Sequence, residues 1–474
     1  MRMNDLIVPK DLYIIPSEED ENYILYRPSK HLLALVEPQM ASNIAAILKE
    51  TDAHTKSKPY DVKYSSLLLE KGFLDSDMKI SEVNNSAQPI RQPFSPHELT
   101  LDITKKCNMR CTYCYSNAGE SSISMSEECG YKAIDFCVLN AKPKGCSFGL
   151  HFHGGGEPSQ EFELLAKFYN YAQAKCKNEN INFKCSVITN GLISTKVTDF
   201  YIRYMDEITV SIDGDEISHD EQRPSVNGGP TFNKVYTTCK YLLKHGKKFN
   251  IRTTITSKNV HRLEEIVGFY IKEFPVPGGS INIEPITLVG RALGKEHLAC
   301  DPNIFAKNLF KSLKMGINSN VNVFYSGVSG HSQRKEFCAA SAPSFSVCAD
   351  GTVTSCFAYS NKDVVRDLFI YGRFDEKTNK FVFDNDKILK LQTLTMDHDP
   401  YCKDCFCKTH CIGDCPAIRK FELTDCYELI EKLDMDFMKN RRCASNRRVV
   451  TLLLEDMVRG RLNISPLPRQ CKCD

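Results

Sequence analysis

The sequence predicts an α/β fold in which six strand–helix units form a partial (β/α)6 barrel, preceded by a winged-helix-like element and followed by a cysteine-rich region. Three observations carry that expectation. Strand-like runs at 98–103, 149–153, 183–189, 207–212, 250–256 and 280–285 alternate with helical stretches, and repeated βα units imply a parallel sheet with its active site at the strands' C-terminal ends. Residues 1–95 contain none of the 22 cysteines, whereas residues 301–474 are irregular and cysteine-dense. A chain of 474 residues has room for about three domains, and the textures divide it at 1–95, 96–300 and 301–474.

The first region opens with short apolar runs at 12–15, 23–26 and 32–36, separated by polar turns. Helical periodicity follows at 41–48 and 64–71. The stretch 75–96 is polar, contains Asn84-Asn85-Ser86 and two prolines, Pro89 and Pro93, and reads as a linker. In the second region each strand-like run is followed by a helical one. The last helix is expected at 446–459, where Val449, Val450, Leu452, Leu453 and Met457 recur at helical spacing.

Composition excludes several classes. Net charge is +2, without the clustered basic excess that a nucleic-acid surface needs. No apolar run approaches the ~18 residues of a membrane span. Residues 1–25 are charged throughout and lack the apolar core of an export signal. With 42% apolar residues the chain can build a core without disulfide staples. A reducing cytoplasm with metal-bound thiolates is therefore the expected setting.

The first strand runs directly into Lys105-Lys106-Cys107-Asn108-Met109-Arg110-Cys111-Thr112-Tyr113-Cys114-Tyr115. Three thiolates on one loop can hold three irons of a [4Fe–4S] cluster and leave the fourth open for a small molecule. Structural zinc would ask for four ligands in two pairs.

These residues resemble the radical S-adenosylmethionine (SAM) family, and the resemblance continues in order along the chain. His153-Gly154-Gly155-Gly156-Glu157-Pro158 follows the second strand, Thr189-Asn190-Gly191 the third, and Ser211-Ile212-Asp213-Gly214 ends the fourth. His219-Asp220, Arg223, Gly229 and Thr231-Phe232 then match the pattern of peptide-modifying members. Glycines let a backbone approach a ligand, and carboxylate and carbonyl groups accept from an ammonium. The resemblance implies a SAM site built from Tyr113, Gly155, Gly156, Glu157, Pro158, Asn190, Ser211, Asp213 and Arg223. It also implies reductive SAM cleavage to methionine and a 5′-deoxyadenosyl radical, with electrons from a ferredoxin or flavodoxin.

Further on come Cys338, Gly351 with Cys356, then Cys402-x2-Cys405-x5-Cys411-x3-Cys415, and Cys443 before the last helix. This pattern resembles the SPASM domain of radical SAM maturases, which implies two more [4Fe–4S] clusters. By that resemblance Cys338, Cys356 and Cys415 serve one, with Cys348 as a candidate fourth ligand. Cys402, Cys405, Cys411 and Cys443 serve the other, with Cys426 as an alternative to Cys443. Cys407, Cys471 and Cys473 have no assigned role. Cys129, Cys137, Cys146, Cys176, Cys185, Cys239 and Cys300 read as packing residues.

Residues 1–95 are similar in pattern to the winged-helix element that binds leader peptides in maturases of ribosomally made peptides, where a peptide adds as a strand to a sheet edge. The expected activity is an oxidative crosslink in a precursor peptide, a thioether first and a carbon–carbon bond second. A sulfatase-type maturase forming formylglycine is a third reading. Its family carries Asp beside the last cysteine of the first auxiliary set, where this chain has Phe357. A zinc-bearing winged-helix regulator is the reading from another class.

Overall fold

A computed structural model describes residues 6–7, 9–51, 62–76, 94–275, 278–329, 336–338, 340–341, 344–356, 367–396, 402, 404–417 and 441–462. Five short elements open the chain: β1 (Leu6–Ile7), β2 (Tyr13–Pro16), β3 (Tyr23–Arg27), β4 (Leu32–Val36) and α1 (Pro38–Thr51). α2 (Val62–Glu70) and β5 (Asp75–Ser76) follow. The central part alternates β6 (Glu98–Leu101), α3 (Glu127–Lys144), β7 (Phe148–Phe152), α4 (Phe162–Glu179), β8 (Phe183–Thr189), α5 (Thr195–Tyr204) and β9 (Glu207–Ser211). It continues with α6 (Glu216–Gln222), α7 (Phe232–Lys244), β10 (Asn250–Ile255), α8 (Leu263–Glu273), β11 (Ser280–Pro285), α9 (Pro302–Asn318) and β12 (Asn322–Phe324).

Strands occupy all six expected stretches, and their order across the sheet is β12-β11-β10-β9-β8-β7-β6, each pair parallel. The sheet is open. The free edge of β6 is taken by β13 (Phe345–Val347), parallel to it, with Val347 opposite Leu101. β14 (Thr352–Thr354), β15 (Ile370–Asp375) and β16 (Lys380–Phe383) continue antiparallel from there, followed by the short helices α10 (Asn385–Gln392) and α11 (Lys408–Cys411). The break drawn at residue 300 therefore does not divide the sheet: one eleven-stranded layer runs through both regions.

Local chemistry explains the helices. Ser126 caps α3 by accepting from the Cys129 amide, and Gly145 closes it in a left-handed conformation. Ser194 caps α5 in the same way, and Asp301 followed by Pro302 starts α9. One face of the sheet is apolar and covered. Leu99, Leu101, Leu150, Phe152, Val187, Ile208, Val210, Ile251 and Ile283 are all buried in one continuous core with residues of the helices. The alternate residues Thr100, His151, Ser186, Thr209, Ser211, Arg252, Thr254, Asn282 and Glu284 are half-buried. That polar face is the one left for chemistry.

The N-terminal strands form a separate antiparallel sheet, β2-β3-β4, with its own small core of Leu12, Leu25, Val36, Ala41, Ile44, Leu68, Phe73 and Leu74. Arg27 ties it to β5 through Asp75 and the Gly72 carbonyl. The opposite face of this sheet, Ile15, Ile24 and Tyr26, joins the main core. It is pinned by α12 (Arg441–Val458), the expected last helix, which begins five residues earlier than the periodicity indicates. Glu455 on α12 is buried and accepts from the Ser17 hydroxyl (2.5 Å) and the Glu18 amide (3.0 Å). Arg459 reaches Asp20 (2.8 Å), and Tyr26 meets His410 (2.8 Å). Glu455→Ala leaves the half-buried Ser17 hydroxyl and the Glu18 amide without their acceptor, which costs about 1 kcal/mol. The expected result is a lowered melting temperature with early proteolytic release near residues 17–22, while α7 and α8 remain protected in hydrogen exchange.

Candidate functional site

The site assembles where the parallel strands end. The cysteine loop leaves β6, the triple-glycine turn leaves β7, Asn190 follows β8, Asp213 follows β9, and Arg223 closes α6. The loop has no regular structure of its own and is held from several sides. Its backbone pairs with the segment after α6: Arg110 N–H donates to the Pro224 carbonyl (2.7 Å), Thr112 N–H to Gln222 (2.9 Å), and Val226 N–H back to Asn108 (3.0 Å). Two guanidinium groups clamp its carbonyls. Arg110 donates to Cys107 (2.9 Å) and Gly119 (2.8 Å), and Arg291 to Cys111 (2.8 Å) and Ala118 (2.9 Å). The Arg291 amide also donates to the Cys114 carbonyl (2.8 Å). Neither arginine was among the expected site residues. The only signal in the sequence is the position of Arg291 shortly after the sixth strand.

The thiols have donors aimed at them. Ala118 N–H lies 3.3 Å from Cys114 Sγ, and Asn190 Nδ2 lies 3.7 Å from Cys107 Sγ. Burial pushes the Cys111 thiol up to about 12, and the Arg223 guanidinium works against that shift. Without metal the thiol is therefore protonated, and binding a metal releases its proton. Among the described residues no three His, Cys, Asp or Glu side chains converge on one metal ion. A cubane asks for something different, one thiolate per iron, and a loop of three soft ligands with amide donors to sulfur fits it.

The glycine turn packs against the same loop. A Cβ on Gly156 would lie 2.4 Å from the carbonyl oxygens of Lys106 and Thr104, and one on Gly155 would lie 2.6 Å from Asp102 Oδ2. Tyr115 and Ser116 donate to the carbonyls of Gly154 (2.9 Å) and Gly155 (2.6 Å). Pro158 starts the short helical turn that follows. Glu157, expected to accept from a ligand ammonium, has a different first task. It is 2% exposed and already accepts from Ser159 N–H (3.1 Å), the Thr189 hydroxyl (2.9 Å) and Asn190 N–H (2.7 Å). Its carboxylate ties the end of β7 to the end of β8, and burial raises its pKa.

Asp213 is fully buried and also heavily used. It accepts from Tyr113 (2.5 Å), Gln222 (3.2 Å) and the Thr254 amide (3.0 Å). Arg223 donates to the Tyr113 hydroxyl (2.5 Å) and lies 4.0 Å from Asp213. Desolvation raises both the Asp213 carboxyl and the Tyr113 phenol. Tyr113, Asp213 and Arg223 thus form one buried cluster joining the cysteine loop to β9. Ser211 sits half-buried beside it on the polar face.

The C-terminal cysteines group in part. Cys407 hydrogen-bonds to Cys411 and lies within electrostatic reach of Cys405 and Cys443. Cys338 lies within reach of Asp414 and Arg442, the residues just before Cys415 and Cys443. Arg442 binds Asp414 (2.8 Å), Ser326 (2.7 Å) and Glu284 (3.4 Å), linking β11 to the cysteine-rich region. Cys348 is the candidate fourth ligand of the first auxiliary set. It occupies the turn of the β13–β14 hairpin, its amide bonded to the Thr352 carbonyl (2.8 Å), and it is buried beside Asp102 and Lys105. Cys356 follows β14, and its amide donates to the Thr354 hydroxyl (3.2 Å). The Cys402 carbonyl accepts from the Cys405 amide (3.3 Å), and Phe357, Cys426, Cys471 and Cys473 lie outside the described residues.

Two predictions follow from this geometry. Gly156→Ala must displace two backbone carbonyls, an overpacking cost of about 1–3 kcal/mol, so SAM affinity measured by calorimetry should fall together with the melting temperature. His153 is held neutral by burial and by the charge of Arg252, its pKa lowered from 6.5 to about 3. Protonation therefore favours the unfolded chain, and its share of stability is lost as pH falls below 6.5. Denaturant titrations from pH 7 to 4.5 should show a slope about one proton shallower in His153→Gln.

Comparison with known proteins agrees with this geometry. Residues 101–270 match the Radical SAM superfamily. An uncharacterized protein of Methanocaldococcus jannaschii is 33% identical over 208 residues, 44% of this chain and 67% of that protein. A cysteine-type anaerobic sulfatase-maturating enzyme of Clostridium novyi is 25% identical over 334 residues, 65% of this chain and 85% of that protein. The solved structure of native anSMEcpe with bound AdoMet and Cp18Cys peptide superposes with a TM-score of 0.58 at 21% identity, over 77% of this chain and 99% of that one. No helix among the described residues is long and apolar enough to cross a membrane.

Proposed function

Because the chain belongs to the radical SAM superfamily, which implies SAM and a [4Fe–4S] cluster, we propose that it is a maturase that installs an oxidative crosslink, a thioether, in a precursor peptide. Bound together, SAM and a reduced cluster supply hydrogen-atom abstraction from an unactivated carbon. The chain's own residues do the rest. Cys107, Cys111 and Cys114 hold three irons. The Gly154–Gly156 turn brings backbone close to the methionyl end of SAM, and Asn190, Ser211 and the Tyr113–Asp213–Arg223 cluster orient its other groups. The buried, water-poor setting of Asp213 and Glu157 keeps these positions fixed and excludes side reactions with solvent.

The observation that carries the peptide reading is the N-terminal sheet. β4 lies at an edge of the β2-β3-β4 sheet, where an extended leader can add as a strand, and α12 joins that sheet to the cysteine-rich region. Two auxiliary clusters, if bound, would supply an acceptor for the second electron lost by the substrate. Cys338, Cys356 and Cys415 are assigned to one, and Cys402, Cys405, Cys411 and Cys443 to the other. Sulfatase maturation is the second reading, favoured by the name of the Clostridium novyi relative. Phe357 in place of an acidic neighbour weighs against it.

Anaerobic purification tests the proposal. Three clusters predict roughly twelve irons per chain. Replacing Cys107, Cys111 and Cys114 by Ala should remove about four of them and abolish deoxyadenosine formation under dithionite. Replacing Cys405 and Cys411 should spare SAM cleavage and block modification. Co-expression with the peptide encoded beside the gene should lower the peptide mass by two hydrogens per crosslink. Formylglycine in a sulfatase peptide, with no need for residues 1–95, would select the second reading.

A further inference from the structure

The polar face of the parallel sheet carries a cation without an acceptor. β10 alternates strictly: Ile251, Thr253 and Ile255 are buried, and Asn250, Arg252 and Thr254 are half-buried. Tyr270 on α8 donates to the Thr253 hydroxyl (3.1 Å), which turns the buried set toward the helices. The other set therefore faces away from them. Asn250 is occupied, since it donates to Glu207 (2.5 Å) and accepts from Ser280 (2.8 Å). Arg252 lies on the third strand from the β12 edge, with Ser211 and Asn282 beside it on the neighbouring strands.

Every other arginine that is shielded from solvent among the described residues has an acceptor. Arg27 and Arg262 bind aspartates, Arg110 and Arg291 bind carbonyls, Arg223 binds a hydroxyl, and Arg442, Arg448 and Arg459 bind carboxylates. Arg252 has none among those residues. Its charge nevertheless reaches the site, because after burial it is the main influence holding His153 neutral, and it acts on Tyr115 next to Cys114. A half-shielded guanidinium with no protein acceptor keeps its donor fork open to a ligand, and a planar carboxylate meets that fork with two parallel hydrogen bonds.

We propose that Arg252 anchors an acidic side chain, aspartate or glutamate, of the peptide laid on the polar face of the sheet beside the SAM site. This rests on the peptide-maturase reading and narrows it to substrates with a carboxylate close to the attacked carbon. SAM has a carboxylate of its own, so the test must separate the two sources.

The full chain, reconstituted anaerobically with its clusters and saturated with SAM, is probed with N-acetyl-aspartyl methylamide and its asparaginyl counterpart by saturation-transfer NMR. The wild type should hold the aspartyl probe roughly tenfold more tightly than the asparaginyl one. Arg252→Gln should abolish that preference with SAM affinity unchanged, and Arg252→Lys should restore only part of it. Because Arg252 has no acceptor among the described residues, the substitution strands no described carboxylate, and iron content verifies the fold. An aspartyl preference that survives in Arg252→Gln, or is absent from the wild type, overturns the proposal. So does loss of SAM affinity in Arg252→Gln, which would assign the guanidinium to the cofactor's carboxylate. The probes need no turnover, so a peptide of unchanged mass would reject the maturase reading without altering this result.

Discussion

The cysteine loop is a piece of backbone that cannot hold its own shape, and the rest of the site exists to hold it. Between Lys105 and Gly119 its amides and carbonyls find partners in the ends of other strands. Pro224 and Gln222 pair with it from beyond α6, and Arg291 from beyond β11. The Lys106 carbonyl accepts from the Glu157 amide. Buried polar backbone must be paired, so each of these contacts is required by solvation as much as by function. The loop's geometry therefore depends on the spacing of strands that lie far apart in sequence, and the parallel sheet sets that spacing.

The same dependence explains why so much charge is buried here. Asp213, Glu157 and Arg223 are almost wholly removed from water; the two carboxylates each accept from three donors, and Arg223 donates to Tyr113 beside Asp213. A buried charge with partners of fixed position is costly to move. Glu157 stitches β7 to β8, and Asp213 stitches β9 to β10 and to Tyr113. These bonds hold the strand ends in register, and cofactor groups meeting them encounter a surface already set.

How much of this is legible in the sequence follows from the range of each interaction. The six central strands are legible because alternation along one strand is a local property, and Ile251, Thr253 and Ile255 declare their face without reference to anything else. The three cysteines and the triple glycine are legible because their spacing lies within one loop. What is not legible depends on contacts between distant segments. The three-residue strands β13 and β14 are too short for a periodic signal, so the extension of the sheet past β6, and with it the place of Cys348 in the hairpin turn, could not be read. Arg110, Arg291, Asp414 and Arg442 look like ordinary surface charges until the fold supplies their partners. Glu157 is the intermediate case: its importance is evident from its motif, its neighbours are not.

The grip of α12 on the turn at residues 17–20 has a consequence for biosynthesis. The β2-β3-β4 sheet leaves the ribosome well before Glu455 and Arg459, which seat it and lie some 440 residues further along the chain. At about 5–20 residues per second that is a delay of roughly half a minute or more. Throughout it, Ile15, Ile24 and Tyr26 face solvent with nothing to cover them. This sheet is thus put away long after it is made, and a nascent chain must be shielded at that face until its closing helix arrives.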